Sequence, residues 1–201
     1  SLPPSGSFRE RYGIHDKKII LSLGRVHKIK GLDFLTDAFV KLNSLRDDTM
    51  LIIAGNDDGY LDKLRTRVRH SGLTDKVIFT GFIQGPAKLA ALRDADVLVQ
   101  PSLYEYNSRV MYEAILCGTP VITSSGTMSS ENLVKMDAGY LIEFGNSEQA
   151  AKIINRVIDE PAQMEERAQK AAAYIRAELS LPKGAERYEQ LYREVIETTR
   201  R

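Results

Sequence analysis

The chain has 201 residues, of which 43% are hydrophobic and 27% charged, a balance that suits one soluble globular core and no more than one domain by default. Its 28 lysines and arginines against 27 aspartates and glutamates leave a formal net charge of +1, which excludes a general attraction to nucleic acid or to an anionic membrane and makes any anion site a local affair. A single cysteine, Cys117, excludes an intrachain disulfide framework and a cysteine-rich metal cluster.

Residues 1–17, with Pro3 and Pro4, read as an entry or interdomain linker segment. Ile19 to Leu23 is a short apolar run closed by Gly24, which suits a buried parallel strand. Leu32, Leu35, Ala38, Phe39 and Leu42 then recur at helical spacing. Met50 to Ala54 reads as a second strand, Tyr60 to His70 as a helix stopped by Gly72, Val77 to Phe79 as a third strand and Pro86 to Arg93 as a helix. Val97 to Val99 gives a fourth strand, Val110 to Leu116 a helix, Pro120 to Thr123 a fifth strand and Tyr140 to Phe144 a sixth. The segment Ser124 to Glu131 reads as a plain turn, with a loop whose hydroxyls touch ligand as the alternative. From Glu148 the tail is helical, with breaks near Pro161 and Pro182, so the expected division is 1–17, a domain over 18–180, and a C-terminal helix over 181–201. No run approaches the roughly 18 apolar residues of a membrane span. The N-terminus shows no signal-peptide pattern and begins with Ser1, which points to a processed or truncated start and a cytoplasmic location.

Strands alternating with helices at this spacing predict an α/β fold: a Rossmann-like, doubly wound parallel sheet of about six strands with helices on both faces. The common strand order, 3-2-1-4-5-6, makes strands one and four neighbours at the topological switch point, where ligands bind beyond the carboxyl ends of the strands. Chemistry is therefore expected on the loops after Leu23 and Val99.

The first of these loops holds Arg25 and Lys30 between Gly24 and Gly31. A rigid guanidinium fork and a mobile ammonium aimed at one point suit a diphosphate; the same stretch also reads as a solvated basic loop. The three-glycine dinucleotide pattern and the lysine–serine ending of a P-loop are both absent. In the second loop, Ser108 is a good N-cap for the following helix, whose free N–H groups at residues 108–110 would face the crevice and favour an anion. Glu105 and Glu113 supply two carboxylates able to accept from sugar hydroxyls. Ser102-x-x-Glu105 also fits a capping box, and Glu113 also fits a helix-surface glutamate paired with an arginine. His15, His27 and His70 are dispersed, and no cluster has metal-ligand spacing.

Four motifs in order, Gly24-Arg25-x4-Lys30-Gly31, Gly81-Phe82, Pro101-Ser102-x2-Glu105-x7-Glu113-Ala114 and Cys117-Gly118-Thr119-Pro120-Val121-Ile122, resemble glycosyltransferase family 4 over about residues 18–160. Each motif alone is weak and the set is specific. The resemblance implies a GT-B enzyme, two Rossmann-like domains with the active site between them, of which this chain is the C-terminal, donor-binding half. It implies that Arg25 and Lys30 neutralise the donor diphosphate, Glu105 meets the transferred sugar, Glu113 holds the ribose, and the turn at Phe82-Ile83 flanks the base. Gly24, Asn107, Ser108, Arg109 and Val110 complete the implied donor site, with Arg25, Lys30 and Glu105 as its catalytic members. It further implies retention of configuration, no metal and no cofactor, and a UDP-, GDP- or ADP-linked sugar as substrate. The acceptor-binding domain would precede Ser1; nucleic acid is not an expected partner, and any peripheral membrane association would come through that other half. Tyr106, Asn107 and Ser108 stand where the family has a glycine-containing stretch, which bears on the sugar accepted. Two other readings remain open: a nucleotide-binding module without transferase activity, and another GT-B sugar-phosphate enzyme such as a pyridoxal-phosphate-dependent phosphorylase.

Overall fold

The computed structural model describes residues 2–199. The apolar runs form six strands, β1 (Lys18–Leu23), β2 (Thr49–Ala54), β3 (Val77–Gly81), β4 (Val97–Gln100), β5 (Val121–Ser124) and β6 (Gly139–Ile142). All neighbouring strands pair in parallel, in the order β3-β2-β1-β4-β5-β6. The expected fold class and switch point are both present, with β1 directly beside β4.

Alternation along each strand sends side chains to two separate cores. On one face Ile20, Ile53 and Val99 pack with Leu35 and Phe39 of α2 (Leu32–Asn43), Leu64 of α3 (Leu61–His70) and Ile154 and Val157 of α7 (Ser147–Asp159). On the other, Ile19, Leu21, Ile52 and Leu98 meet Leu92 of α4 (Gly85–Asp94), Met111 and Ile115 of α5 (Arg109–Leu116), Leu133 of α6 (Met128–Lys135) and Ile175 of α8 (Pro161–Glu178). Covering both faces is why the strands read as unbroken apolar runs.

Two segments differ from the sequence reading. Residues 1–17 are not merely an entry segment: Ser7–Tyr12 form a helix, α1, whose Phe8 is buried in the second core and stacks on Tyr12 at 4.6 Å. Asp94, at the end of α4, caps it by accepting from the amides of Gly6, Phe8 and Arg9 at 2.7, 2.7 and 3.2 Å. The distant carboxylate that satisfies these orphan amides is invisible to local pattern reading. The supposed plain turn over Ser124–Glu131 likewise runs into a helix, α6, opened by a reciprocal Thr127–Ser130 capping box. A serine at the third helical position replaces the usual glutamate there, so the local start signal is weak.

The tail breaks where Pro161 and Pro182 indicated, each proline sitting in the first turn of its helix, where its missing N–H costs nothing. Helix α9 (Leu181–Thr199) buries none of its residues; residues 200–201 of the expected terminal helix lie outside the described residues. Among the described residues no helix is long and apolar enough to cross a membrane.

Candidate functional site

The loops leaving β1, β2 and β4 are knitted together by backbone. The amide of Val26 donates to Asn56 O at 2.7 Å and that of Asp58 to Val26 O at 3.0 Å, while Leu103 N donates to Ile29 O at 2.9 Å. Two glycines permit this closeness. A Cβ on Gly55 would lie 1.7 Å from Gly24 O, and one on Gly31, which has φ 63°, would lie 2.1 Å from Pro101 O. Between Gly24 and Gly31 the chain makes a single 3-10 turn, Lys28–Lys30, capped by His27 Nδ1 accepting from Ile29 N at 3.2 Å. His27 is thereby a structural cap of the cationic loop.

That geometry delivers the charges to one place. Lys30 Nζ lies 2.6 Å from Glu105 Oε2, with side chains only 22% and 15% exposed, so the β1 and β4 loops meet through an ion pair partly shielded from water. Ser102 Oγ sits 3.5 Å from the same carboxylate oxygen. Arg25 points from the same loop toward solvent and pairs with Asp58 of the β2 loop at 2.6 Å. Gly24, Arg25, Lys30, Ser22, Gln100 and Ser102 line a recess of about 20 Å³ between β1 and β4, room for one water-sized group. A larger anion would therefore lie across its mouth.

At the start of α5 the expectation needs correction. Ser108 is the N-cap, its Oγ accepting from Met111 N at 3.2 Å and donating to Gln100 Oε1 at 2.8 Å. Its amide, however, donates to Ser129 Oγ of α6 at 3.0 Å. Ser108 is thus buried and committed within the protein, which leaves Arg109 and Val110 as the first-turn amides without an acceptor among the described residues. The capping-box alternative for Ser102 and Glu105 also falls, because residues 102–107 are loop and the helix begins at Arg109. Asn107, Arg109 and Tyr106 are exposed, Tyr106 at 79%, so the bulky residue standing in the family's glycine stretch projects outward.

Glu113, in the second turn of α5, pairs not with an arginine but with Lys88 of α4, Oε1 to Nζ, at 2.7 Å. Its Oε2 is shielded from water, with no hydrogen-bond partner among the described residues. Phe82 and Ile83 follow β3 at the same end of the sheet; Phe82 is exposed, whereas Ile83 leans into an apolar groove of about 400 Å³ beside Phe8, Tyr12 and Ala90. The structure therefore brings Lys30 and Glu105 together, with Arg25 on the same loop turned to Asp58. Four residues of this end were not singled out from the sequence: Asp58, Lys88, Gln100 and Ser129. Gln100 carried a signal, a lone polar residue ending an apolar strand at the switch point. The other three become visible only once their loops and helices are brought side by side.

Fold and geometry define the class: a Rossmann-like α/β domain with its paired charges gathered at the carboxyl ends of its strands. The sequence model of the family described as glycosyl transferases group 1 matches residues 5–175, and the chain belongs to that family. It is 27% identical over 187 residues to the alpha-D-kanosaminyltransferase of Streptomyces kanamyceticus, covering 93% of this chain and 48% of that protein. Among solved structures it is similar to sucrose-phosphate synthase from Thermosynechococcus elongatus, with a TM-score of 0.81 and 26% identity over 98% of this chain and 50% of that one. It shares the fold of Anabaena HepE, solved with UDP and glucose, with a TM-score of 0.83 and 23% identity over 93% of this chain and 51% of that one. The chain spans about half the length of the curated relatives it matches. Its six-stranded sheet corresponds to the C-terminal domain of a GT-B glycosyltransferase.

Proposed function

We propose that this chain is the donor-binding half of a retaining glycosyltransferase and takes a nucleoside-diphosphate hexose. The observation that carries this reading is the meeting of Lys30 and Glu105 at 2.6 Å across the β1–β4 switch point, with Arg25 on the same loop. A cation for the diphosphate and a carboxylate for the sugar hydroxyls are then adjacent, as a pyrophosphate-linked sugar requires. HepE, a structural neighbour, was solved with UDP and glucose, which supports a ligand of this class here.

In that role Arg25, Lys30 and the amides of Arg109 and Val110 face the diphosphate. As the nucleoside diphosphate departs, negative charge grows on the leaving oxygen, and fixed cations and helix-end N–H groups stabilise that state more than the ground state. Glu105 orients the transferred sugar, and Glu113 receives the ribose hydroxyls. The reaction needs neither metal nor cofactor in this reading. Binding moves Lys30 from Glu105 toward phosphate, freeing the carboxylate for the sugar. A domain beyond this chain supplies the acceptor and closes the cleft, so the chain alone binds donor weakly and transfers nothing.

A thermal-shift screen against UDP-, GDP- and ADP-sugars tests the reading. Stabilisation by at least one of them, abolished in Lys30→Ala, is expected; no shift with any of the three removes it.

A further inference from the structure

The two edges of the sheet differ in what covers them. At the β6 edge, Arg156 of α7 and Arg167 of α8 lie over the Tyr140 ring, 5.1 and 5.0 Å from its centroid. At the β3 edge no strand pairs with the outer side among the described residues, and no backbone group of Ile78, Phe79 or Thr80 has a partner there outside the β2–β3 ladder. Proteins ordinarily blunt such an edge with lysine, proline, a charge or a bulge. The strand Val77-Ile78-Phe79-Thr80-Gly81 has no proline and no charge, and its one register shift comes at the carboxyl end, leaving Val77 to Phe79 in unbroken register.

Beside this edge α3 and β3 enclose a groove of about 250 Å³, lined by Arg65, Val68, Arg69, Thr74, Val77 and Phe79. Two valines and a phenylalanine make it apolar below, and two arginines four apart share one face of α3 above it. The Arg65 guanidinium lies 5.8 Å from the Phe79 ring centroid, and Asp62, its ion-pair partner, is 3.9 Å away and almost wholly exposed, a pair worth little. Arg69 enters no ion pair among the described residues, whereas Arg67 is held by Asp37 at 2.5 Å. Residues 61–80 carry five lysines and arginines against two aspartates, an excess of three in a chain whose total is +1. We propose that the β3 edge is a docking site for an extended acidic segment of a separate partner protein, which adds as a further strand and sets its carboxylates against Arg65 and Arg69. Main-chain pairing supplies the affinity and the two arginines select for acid. A second copy fits poorly, because two paired β3 edges would bring like charges face to face. A row of unpaired backbone groups over an apolar floor suits a peptide strand better than a flat lipid surface. The edge lies two strands, roughly 10 Å, from β1, so docking leaves the β1–β4 crevice open.

The test is fluorescence polarisation of this chain with a labelled, end-capped hexapeptide of alternating glutamate and valine, with thermal melts confirming that each variant is folded. Saturable binding is expected, weakened about tenfold by Arg69→Glu through loss of a charge-assisted contact, weakened further by Arg65→Glu beside it, and weaker at high salt. A lysine–valine hexapeptide does not bind. Alternate amides of a strand face the same edge, so of two acidic peptides, one N-methylated at its valines and one at its glutamates, at least one loses about tenfold. If both N-methylated peptides bind like the parent, the attraction is charge alone and strand addition is overturned. Absence of acidic-peptide binding, with or without binding of phosphatidylserine vesicles, overturns the proposal, as does displacement of the peptide by UDP. A concentration-dependent dimer in analytical ultracentrifugation that the peptide dissociates assigns the edge to a second copy instead.

Discussion

Gly31 offers the sharpest test of how the site is assembled, because its missing side chain is what lets the β1 loop lie against the β4 loop. In Gly31→Ala the new Cβ would stand 2.1 Å from Pro101 O and 2.9 Å from the Phe144 ring, against a floor of 3.0 Å that real Cβ atoms keep. One loop must therefore retreat by about 0.9 Å in a close-packed region. Two costs combine. The left-handed φ of 63° costs an L-residue roughly 1–2 kcal/mol, and forcing the loops apart adds about 1–3 kcal/mol. Gly72 separates the two, since it has a similar φ of 69° with nothing within 4 Å of a Cβ. Urea titrations with unchanged slopes are expected to place Gly72→Ala about 1–2 kcal/mol below the parent and Gly31→Ala lower still by about 1–3 kcal/mol. Because Lys30 precedes Gly31 and Glu105 follows Pro101, the same retreat pulls the ion pair apart, and nucleoside diphosphate binding is expected to weaken by about tenfold or more. Equal destabilisation by the two substitutions, or unchanged ligand affinity in folded Gly31→Ala, would refute the reasoning.

Lys30→Ala is expected to lower diphosphate affinity by about 1.5–3 kcal/mol; Arg25→Ala, whose side chain is 62% exposed, loses less and loses it mainly at low salt. Calorimetry at two ionic strengths reads both, and unchanged affinity in each variant would count against the site. Phe8→Ala is expected to cost about 3 kcal/mol in a denaturant melt, as for other fully buried phenylalanines, whereas a residue of a mere linker would cost nothing measurable. Removing residues 181–201 is expected to shift stability by no more than about 0.5 kcal/mol, because α9 buries none of its described residues; a large drop in melting temperature would show that the helix packs in solution. Burial, with the charge of Glu113 behind it, pushes the Cys117 thiol up from its ordinary pKa, so less thiolate is present at a given pH. Its alkylation by iodoacetamide is expected to lag behind that of a free thiol at pH 8 and to accelerate only at more alkaline pH.

The parts of this molecule legible in its sequence are those fixed by local pattern. Runs such as Ile19–Leu23 and Val97–Val99 name their strands because both sheet faces are covered, and alternation of strand with helix leaves few topologies once right-handed crossovers are imposed. The strand order then fixes the switch point between β1 and β4, and Arg25, Lys30 and Glu105 lie on the loops that leave it. What escaped was whatever depends on contact between remote segments. Helix α1 is held by Asp94, more than 80 residues away, and no composition rule separates a docked six-residue helix from a linker. Ser108 was recognised as a cap from its own position, yet its amide is taken by Ser129 from a helix that itself went unrecognised, so an error in one element became an error in the count of free donors at another. Lys88 shows the same dependence with an opposite result. The helix-surface alternative for Glu113 pairs it with a neighbouring arginine, whereas a lysine 25 positions back meets one of its oxygens. Charge complementarity accounts for one oxygen of this pair and leaves Oε2 buried without a donor among the described residues.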